Sequence, residues 1–498
     1  MFKTEGSHKQ YQHFVQQNLF EYYLQFGFIR PLLVYSDLIG KFWITILDPI
    51  RFVVCFTYSE KGRKARDPVC MFRSLLLMLE YGEESITEWV KTLKAMPLFA
   101  ILSGFDPDDV PGIGTFYDFL HRLWLCEDKR TKILKGFSAK PKKKKDKDER
   151  PHPDIVRKIV KRVIKYQEYP TPKQPYDLFN QILKTCFVLP SAEKGLLGDP
   201  QNLSISGDGT KIKTGARHYG KKVCECKEKC NCKRVFQDGD ATWGFDSYRK
   251  VWVYGRTLYE ITASDSPNDL PVFLKLTQCQ RHDSVSGVYA LDETRKFYPE
   301  FTFKEFQGDA AHDAYGIYQL LALWETEAII DHNLRNQGNL TYKAPLEITP
   351  EGVPICAEGE KMTYAGFCRD RQRNKWRCPR KTNKDAQNKT CACSSSDYGR
   401  VIYTYPKDNL RHFTKIPRGS PKWKRKYNKR SASERNIKRK KIDYQIESAK
   451  ARSTPIWFAR CILTACCQHI DSRYEKEHES LNIEQMIYRW MNQSKQAA

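Results

Sequence analysis

Residues 203–213, LSISGDGTKIK, alternate apolar and polar side chains, which is the pattern of a half-buried β-strand. YRKVWVYGRTLYEITAS (248–264) and PEFTFKEFQGDA (299–310) have the same texture. AHDAYGIYQLLALWETE (311–327) follows as an amphipathic helix, and EAIIDHN (327–333) as a further short strand. Strands alternating with helices in this way predict an α/β domain built on a mixed sheet. That domain accounts for only part of 498 residues, so the chain should divide further.

The flanking segments have other textures. Residues 1–137 read as helical. Asp67-Pro68 opens a helix whose apolar stripe runs through MFRSLLLMLEYG to a glycine stop, and SITEWVKTLKAM ends at Pro97. The loop SGFDPDDVPGIG leads to another helix near Thr115. Residues 138–153, SAKPKKKKDKDERPHP, form a basic linker, read first as a solvated tether and second as a DNA-backbone contact or nuclear-import tag. Residues 154–200 return to helix and loop. The α/β domain then spans 201–339 and resumes at 427–498, around a turn-rich insertion at 340–426. Residues 427–450 are basic and helical, backed by the apolar helix PIWFARCILTACCQHI.

Charge narrows the partners. Lys and Arg number 84 against 59 Asp and Glu, a net +25, which points to a polyanion and most commonly nucleic acid. The N-terminus MFKTEGSHKQYQ lacks an apolar signal core, and the apolar stretch 32–58 is broken by Asp37, Lys41, Asp48 and Arg51. Seventeen cysteines in such a chain read as reduced thiols or metal ligands. The expected setting is therefore an intracellular compartment where DNA is present.

Three acidic residues stand out. Asp208 (Ser206-Gly207-Asp208-Gly209-Thr210) and Asp309 (Gln307-Gly308-Asp309-Ala310) each close a strand beside glycine. The glycines would leave room for a metal and a phosphate, although Gly-Asp-Gly is more often a plain turn. Strand-end carboxylates suit Mg2+, which completes its shell with water and phosphate oxygens. The third is Glu434. Tyr427, Arg430, Glu434, Ile437 and Lys441 follow at steps of 3, 4, 3 and 4, one face of an α-helix and a suitable wall for a DNA backbone. His312 and Asp313, beside Asp309, read as helix-start polar residues, with assistance to the site as the second reading.

Tyr-x2-Arg-x3-Glu-x6-Lys is the signature of a large group of bacterial insertion-sequence transposases with a DDE catalytic domain, and the sequence matches it at Tyr427, Arg430, Glu434 and Lys441. GRKARDPVCMFRSLLLMLEYGEES and the Gly104-Phe105, Thr115-Phe116, Phe119 and Arg122 positions resemble that group's N-terminal region. GDGTKIKT, GDAAHDAYGIYQLL and IIDHNLRNQGN resemble its two aspartate motifs and the following strand. The resemblance covers most of the chain from about residue 50 to 470.

It implies an RNase H-like core, with the aspartates on neighbouring strands and the glutamate on a later helix beyond a frequently β-rich insertion. It implies two Mg2+ ions, replaceable by Mn2+, roughly 3.5–4 Å apart and held by Asp208, Asp309 and Glu434. Tyr427, Arg430 and Lys441 would then bind the backbone of the transposon end. The implied partners are double-stranded DNA (terminal inverted repeats and target DNA) and a second copy of the chain in a synaptic homodimer. A domesticated DNA-binding protein and a stand-alone RNase H-fold nuclease are the other classes that such a chain allows.

Two cysteine groups remain. Cys224, Cys226, Cys230 and Cys232 either close a tetrahedral structural zinc site or stand as unliganded surface thiols; C-x-C is tighter than the usual C-x2-4-C. Cys356, Cys368, Cys378, Cys391 and Cys393 lie in the insertion, and a zinc-ribbon-like knuckle is one reading of their irregular spacing.

Overall fold

The computed structural model describes residues 1–126, 133–135, 155–333, 347–382 and 393–495, apart from positions 5, 170–171, 229 and 449. The basic linker 138–153 and Cys391 lie outside these residues. Nine strands precede the insertion among the described residues: β1 (Ile133–Lys135), β2 (Leu203–Lys213), β3 (Lys221–Lys222), β4 (Arg234–Phe236), β5 (Thr242–Asp246), β6 (Val251–Ala263), β7 (Pro271–Gln278), β8 (Phe303–Gly308) and β9 (Glu327–Ile330).

The central sheet is mixed. One edge of the long β6 pairs first with β5 and then with β7, and its other edge pairs with β2. All three of those pairings are antiparallel, whereas β2, β8 and β9 run parallel. Parallel neighbours need crossovers, and these are the Asp283–Phe297 helix between β7 and β8 and the Tyr315–Leu323 helix between β8 and β9. From Val253 to Ala263, β6 is buried without interruption, as a strand is when both faces of its sheet are covered.

The remaining helices close over this sheet. Asp67 caps the Pro68–Glu80 helix by accepting from the Val69 N–H at 2.9 Å, with Pro68 already set at helical φ. Every residue of that helix from Pro68 to Leu79 is buried. The Thr454–Leu481 helix packs against it on one side and against β7 on another, so a single hydrophobic cluster extends from Tyr11 to Trp490. No helix among the described residues is long and apolar enough to cross a membrane.

The strands carrying Asp208 and Asp309 and the Asp67-capped helix lie where the sequence suggests. Other elements differ. Residues 1–137 are not wholly helical, because β1 pairs with β4. β5, β7 and the Asp283–Phe297 helix join the sheet domain, and the last apolar helix runs on to Leu481 and is followed by Ile483–Lys495. The insertion is β-bearing: Thr363–Cys368, Arg373–Arg377 and Val401–Thr404 form an antiparallel sheet over a small core of Cys356, Met362, Trp376 and Ile402.

Candidate active site

The parallel register of β2 and β8 pairs Ser206 with Gln307, and two residues further along come Asp208 and Asp309. Asp208 receives the Gly209 N–H at 2.7 Å. Burial, followed by the neighbouring charges of Asp309 and Asp283, pushes its pKa up to about 7. Asp309 behaves oppositely. Burial raises its pKa, but the hydrogen bond and charge of His312 outweigh this and hold the carboxyl below its usual range. His312 Nδ1 lies 2.6 Å from Asp309 Oδ1 and its Nε2 lies 2.8 Å from the Tyr259 hydroxyl, with the ring fully buried. Burial lowers the His312 pKa, yet contact with Asp309 leaves it raised. His312 is thus the residue that positions Asp309, as well as part of the 310–312 turn.

The glycines do something other than open the site to a ligand. A Cβ on Gly207 would collide with the Tyr259 hydroxyl, and one on Gly209 with Asp283 Oδ1. Side chains alternate across a strand, so these two positions face the Asp283–Phe297 helix while Asp208 faces the other way. Their small size lets that helix and Tyr259 approach β2. Asp283, the first residue of the helix, has a buried Oδ1 with no hydrogen-bond partner, and it adds negative charge felt by both Asp208 and Tyr259. The sequence reading missed this fourth carboxylate because it missed the helix; Val285, Val288 and Leu291, all buried, are the apolar spacing that could have signalled it.

Tyr427 and Arg430 come within electrostatic reach of the aspartates, and Glu434 is joined to them only through Arg430; the three lie on one helical run that is not a single α-helix. Pro421–Tyr427 and Ser431–Ile442 are α-helical, joined by a 3-10 turn at Asn428–Arg430. Trp423 and Tyr427 stack with ring centroids 4.5 Å apart, and the Tyr427 hydroxyl is 3.4 Å from Asp331. Burial, then the Asp331 and Asp309 charges, push the Tyr427 phenol up to about 12 against the opposing Arg430 charge. Arg430 is 2.9 Å from Glu434 and also feels Asp208. The Glu434 side chain is 53% exposed. The opposite face of the same helix is anchored by a buried network, in which Lys440 meets Glu260 at 3.0 Å and Gln468 at 2.6 Å. Lys441 does not join the group; it lies 3.6 Å from Glu447, which Arg249 also holds.

Asp313 is structural. It is buried and accepts from Arg411 at 2.9 and 2.6 Å, from the Tyr318 hydroxyl at 2.8 Å and from the Asn333 N–H at 2.7 Å.

The two cysteine groups differ. Among the described residues, Cys224, Cys226, Cys230 and Cys232 are the group whose ligand atoms all lie within 4.8 Å of one another. In the insertion Cys356 and Cys393 belong to its small apolar cluster and Cys378 is fully buried, so the described thiols there are not gathered in that way.

Residues 41–122 match the family model described as Transposase domain (DUF772). That stretch runs from within the Ser36–Ile44 helix to the end of the Ile113–Arg122 helix and contains none of the acidic site residues. Among solved structures, the cryo-EM structure of a piggyBac transposase synaptic complex with hairpin DNA is 11% identical, with 92% of this chain and 79% of that chain covered at a TM-score of 0.38. No curated protein matches the chain.

Proposed function

We propose that this chain is a DDE-type DNA transposase that cuts at terminal inverted repeats and joins the freed 3′-OH to target DNA. The observation that carries the reading is the approach of Asp208, within β2, to Asp309, directly after the parallel β8, with Arg430 acting on both and paired in turn with Glu434. The transposase-domain match at residues 41–122 supports it independently. A sheet ordered β7-β6-β2-β8-β9, its first three strands antiparallel and its last three parallel, is the arrangement expected of an RNase H-like core.

The donor chemistry of Asp208 and Asp309 suits a divalent cation: each acts on the other's charge, and Asp283 adds to that field from the opposite face of β2. Among the described residues their oxygens are not gathered within 4.8 Å of one another as the four hairpin thiols are, so closing the site requires the cation to draw them in. Mg2+, or Mn2+ in its place, would supply Lewis-acid activation of the attacking oxygen and stabilisation of the leaving 3′ oxygen. Asp208, Asp309 and Glu434 are the residues that would hold it, Glu434 only by releasing or sharing Arg430. Arg430 offers a guanidinium fork to a phosphate beside the reacting bond, and Tyr427 a hydroxyl. Hydrolysis and strand transfer are both phosphoryl displacements, so one set of carboxylates serves both steps. In this reading two copies of the chain pair the element's ends in the bacterial cytoplasm.

The test incubates the protein with Mg2+ and a duplex bearing the element's flanking inverted repeat, with Glu434→Gln as control. Nicking at the repeat's end and joining to a second DNA, both lost in the variant, are expected. Repeat-specific binding without metal-dependent cleavage would mean a domesticated DNA-binding protein. Cleavage that ignores the repeat would mean a stand-alone nuclease.

A further inference from the structure

We propose that Cys224, Cys226, Cys230 and Cys232 hold one structural zinc ion at the tip of the β3–β4 hairpin. The argument begins with what the tip lacks. None of the described residues from Lys221 to Lys233 is buried, so the tip has no apolar core of its own. A segment that cannot bury apolar surface needs a cross-link or a metal to take one conformation. Four thiols nonetheless meet there.

The root of the hairpin is firmly built. Lys221 pairs with Val235 and Lys222 with Arg234. Phe236, Ala241 and Tyr254 form a small core beneath, and Arg256 clamps Asp238 through contacts of 2.6 and 2.7 Å. From that root two Cys-x-Cys arms emerge. Cys224 and Cys226 come from one arm and Cys230 and Cys232 from the other, and all four sulfurs meet although the Cys-x-Cys spacing is tighter than that of most zinc sites.

The distances suit a metal and not two disulfides. Cys224 and Cys230 sulfurs are 3.3 Å apart and those of Cys226 and Cys232 are 3.8 Å apart, whereas a disulfide needs about 2.05 Å. Zinc–sulfur bonds of about 2.3 Å in a tetrahedron put sulfurs about 3.8 Å apart. Four thiolates fill that tetrahedron and leave no open position, so the ion's role is to fold the tip. The tip it would hold is basic, with Lys221, Lys222, Lys227 and Lys233 exposed against Glu225 and Glu228.

The full chain, purified reduced and without added metal, is analysed for metal by mass spectrometry, and the zinc-free protein is titrated with Co(II). We expect one zinc per chain. It should be lost when all four of these cysteines become serine and kept in Cys356→Ser/Cys368→Ser. Co(II) should give intense thiolate charge-transfer and tetrahedral d–d bands, and chelation should open the tip lysines to trypsin. Zinc retained by the quadruple variant, iron in its place, or reduced protein that binds neither zinc nor Co(II) would overturn the proposal. If the quadruple variant does not fold, the Co(II) spectrum of the unaltered chain decides. None of these readouts depends on DNA cleavage.

Discussion

Arg411 grips Asp313 from 98 residues further along the chain, with Nε 2.9 Å from one carboxylate oxygen and Nη2 2.6 Å from the other. The pair fastens the exit of the insertion to the turn that follows β8. Arg418 extends the clasp by donating to the Ile330 carbonyl at 3.0 Å and the Arg411 carbonyl at 2.6 Å. The helical run carrying Tyr427, Arg430 and Glu434 starts three residues later, so this clasp sets where those side chains arrive.

Breaking one side of the clasp should therefore be costly. Arg418 Nη2 also lies 3.8 Å from Asp313, so Asp313→Ala removes a carboxylate that both arginines share. The loss of one partner from a buried pair costs about 3–5 kcal/mol. Urea unfolding of Asp313→Ala should show a loss of that order. Arg411→Ala should lose a similar amount, and the double variant less than the sum of the two. Additive losses would mean the residues act independently.

The Arg430–Glu434 pair leads to a less obvious expectation. Arg430 neutralises Glu434 and lowers the charge felt from Asp208 and Asp309, so it competes with any cation for the same carboxylates. Arg430→Ala should bind Mn2+ several-fold more tightly by calorimetry, yet cleave DNA at least about 100-fold more slowly if its guanidinium meets phosphate in the transition state. Glu434→Gln should lose cleavage while its melting temperature stays within a few degrees, because the side chain is half exposed. Weaker Mn2+ binding in Arg430→Ala would show that the arginine builds the cation site and does not oppose it.

How far the sequence reveals this site depends on the residue. Asp208 and Asp309 are legible because strand alternation survives around them and each follows a glycine, although only Asp309 stands at a strand end; β2 runs five residues past Asp208 to Lys213. The faces are not: nothing local says that Gly207 and Gly209 accommodate Tyr259 and Asp283, because both partners come from other elements. β7, PVFLKLTQ, starts apolar and turns polar without clean alternation, and the Asp283–Phe297 helix is buried through most of its first half, so neither shows a simple period. The helical spacing from Tyr427 to Glu434 survives because a 3-10 turn still advances helically, but the interruption at Asn428–Arg430 is invisible in a row of polar and basic residues. Lys441 fits the same spacing and is nonetheless drawn to Glu447.

Asp208 predicts a pH dependence. Burial and the neighbouring carboxylates push its pKa up to about 7 in the folded chain from an ordinary 3.8, so between those values the folded state holds a proton that the unfolded state has lost. Its contribution to stability is therefore full below about pH 4 and disappears as pH rises through about 7. In metal-free protein, the melting temperature relative to Asp208→Asn should fall across that window. Mn2+ should restore more stability at pH 8 than at pH 6, since the cation competes with that proton. A difference between the two proteins that is flat with pH would show that Asp208 is already ionised at acid pH.

Gly209 and Asp283 supply a rescue test. A methyl at position 209 would collide with Asp283 Oδ1 and lie 2.9 Å from its Cγ, while its next neighbour, Thr257 Cγ2, stands at an ordinary 3.4 Å. Gly209→Ala should destabilise the chain by about 1–3 kcal/mol through overpacking. Asp283→Ala removes the colliding group, so Gly209→Ala/Asp283→Ala should recover most of that loss in urea unfolding. Asp283→Asn keeps the shape and removes the charge; it should leave stability nearly unchanged or raised, because a buried carboxylate whose Oδ1 makes no hydrogen bond is neutralised, while weakening Mn2+ binding several-fold. Unchanged Mn2+ affinity in Asp283→Asn would exclude this carboxylate from the cation site and leave it a packing partner of β2 alone.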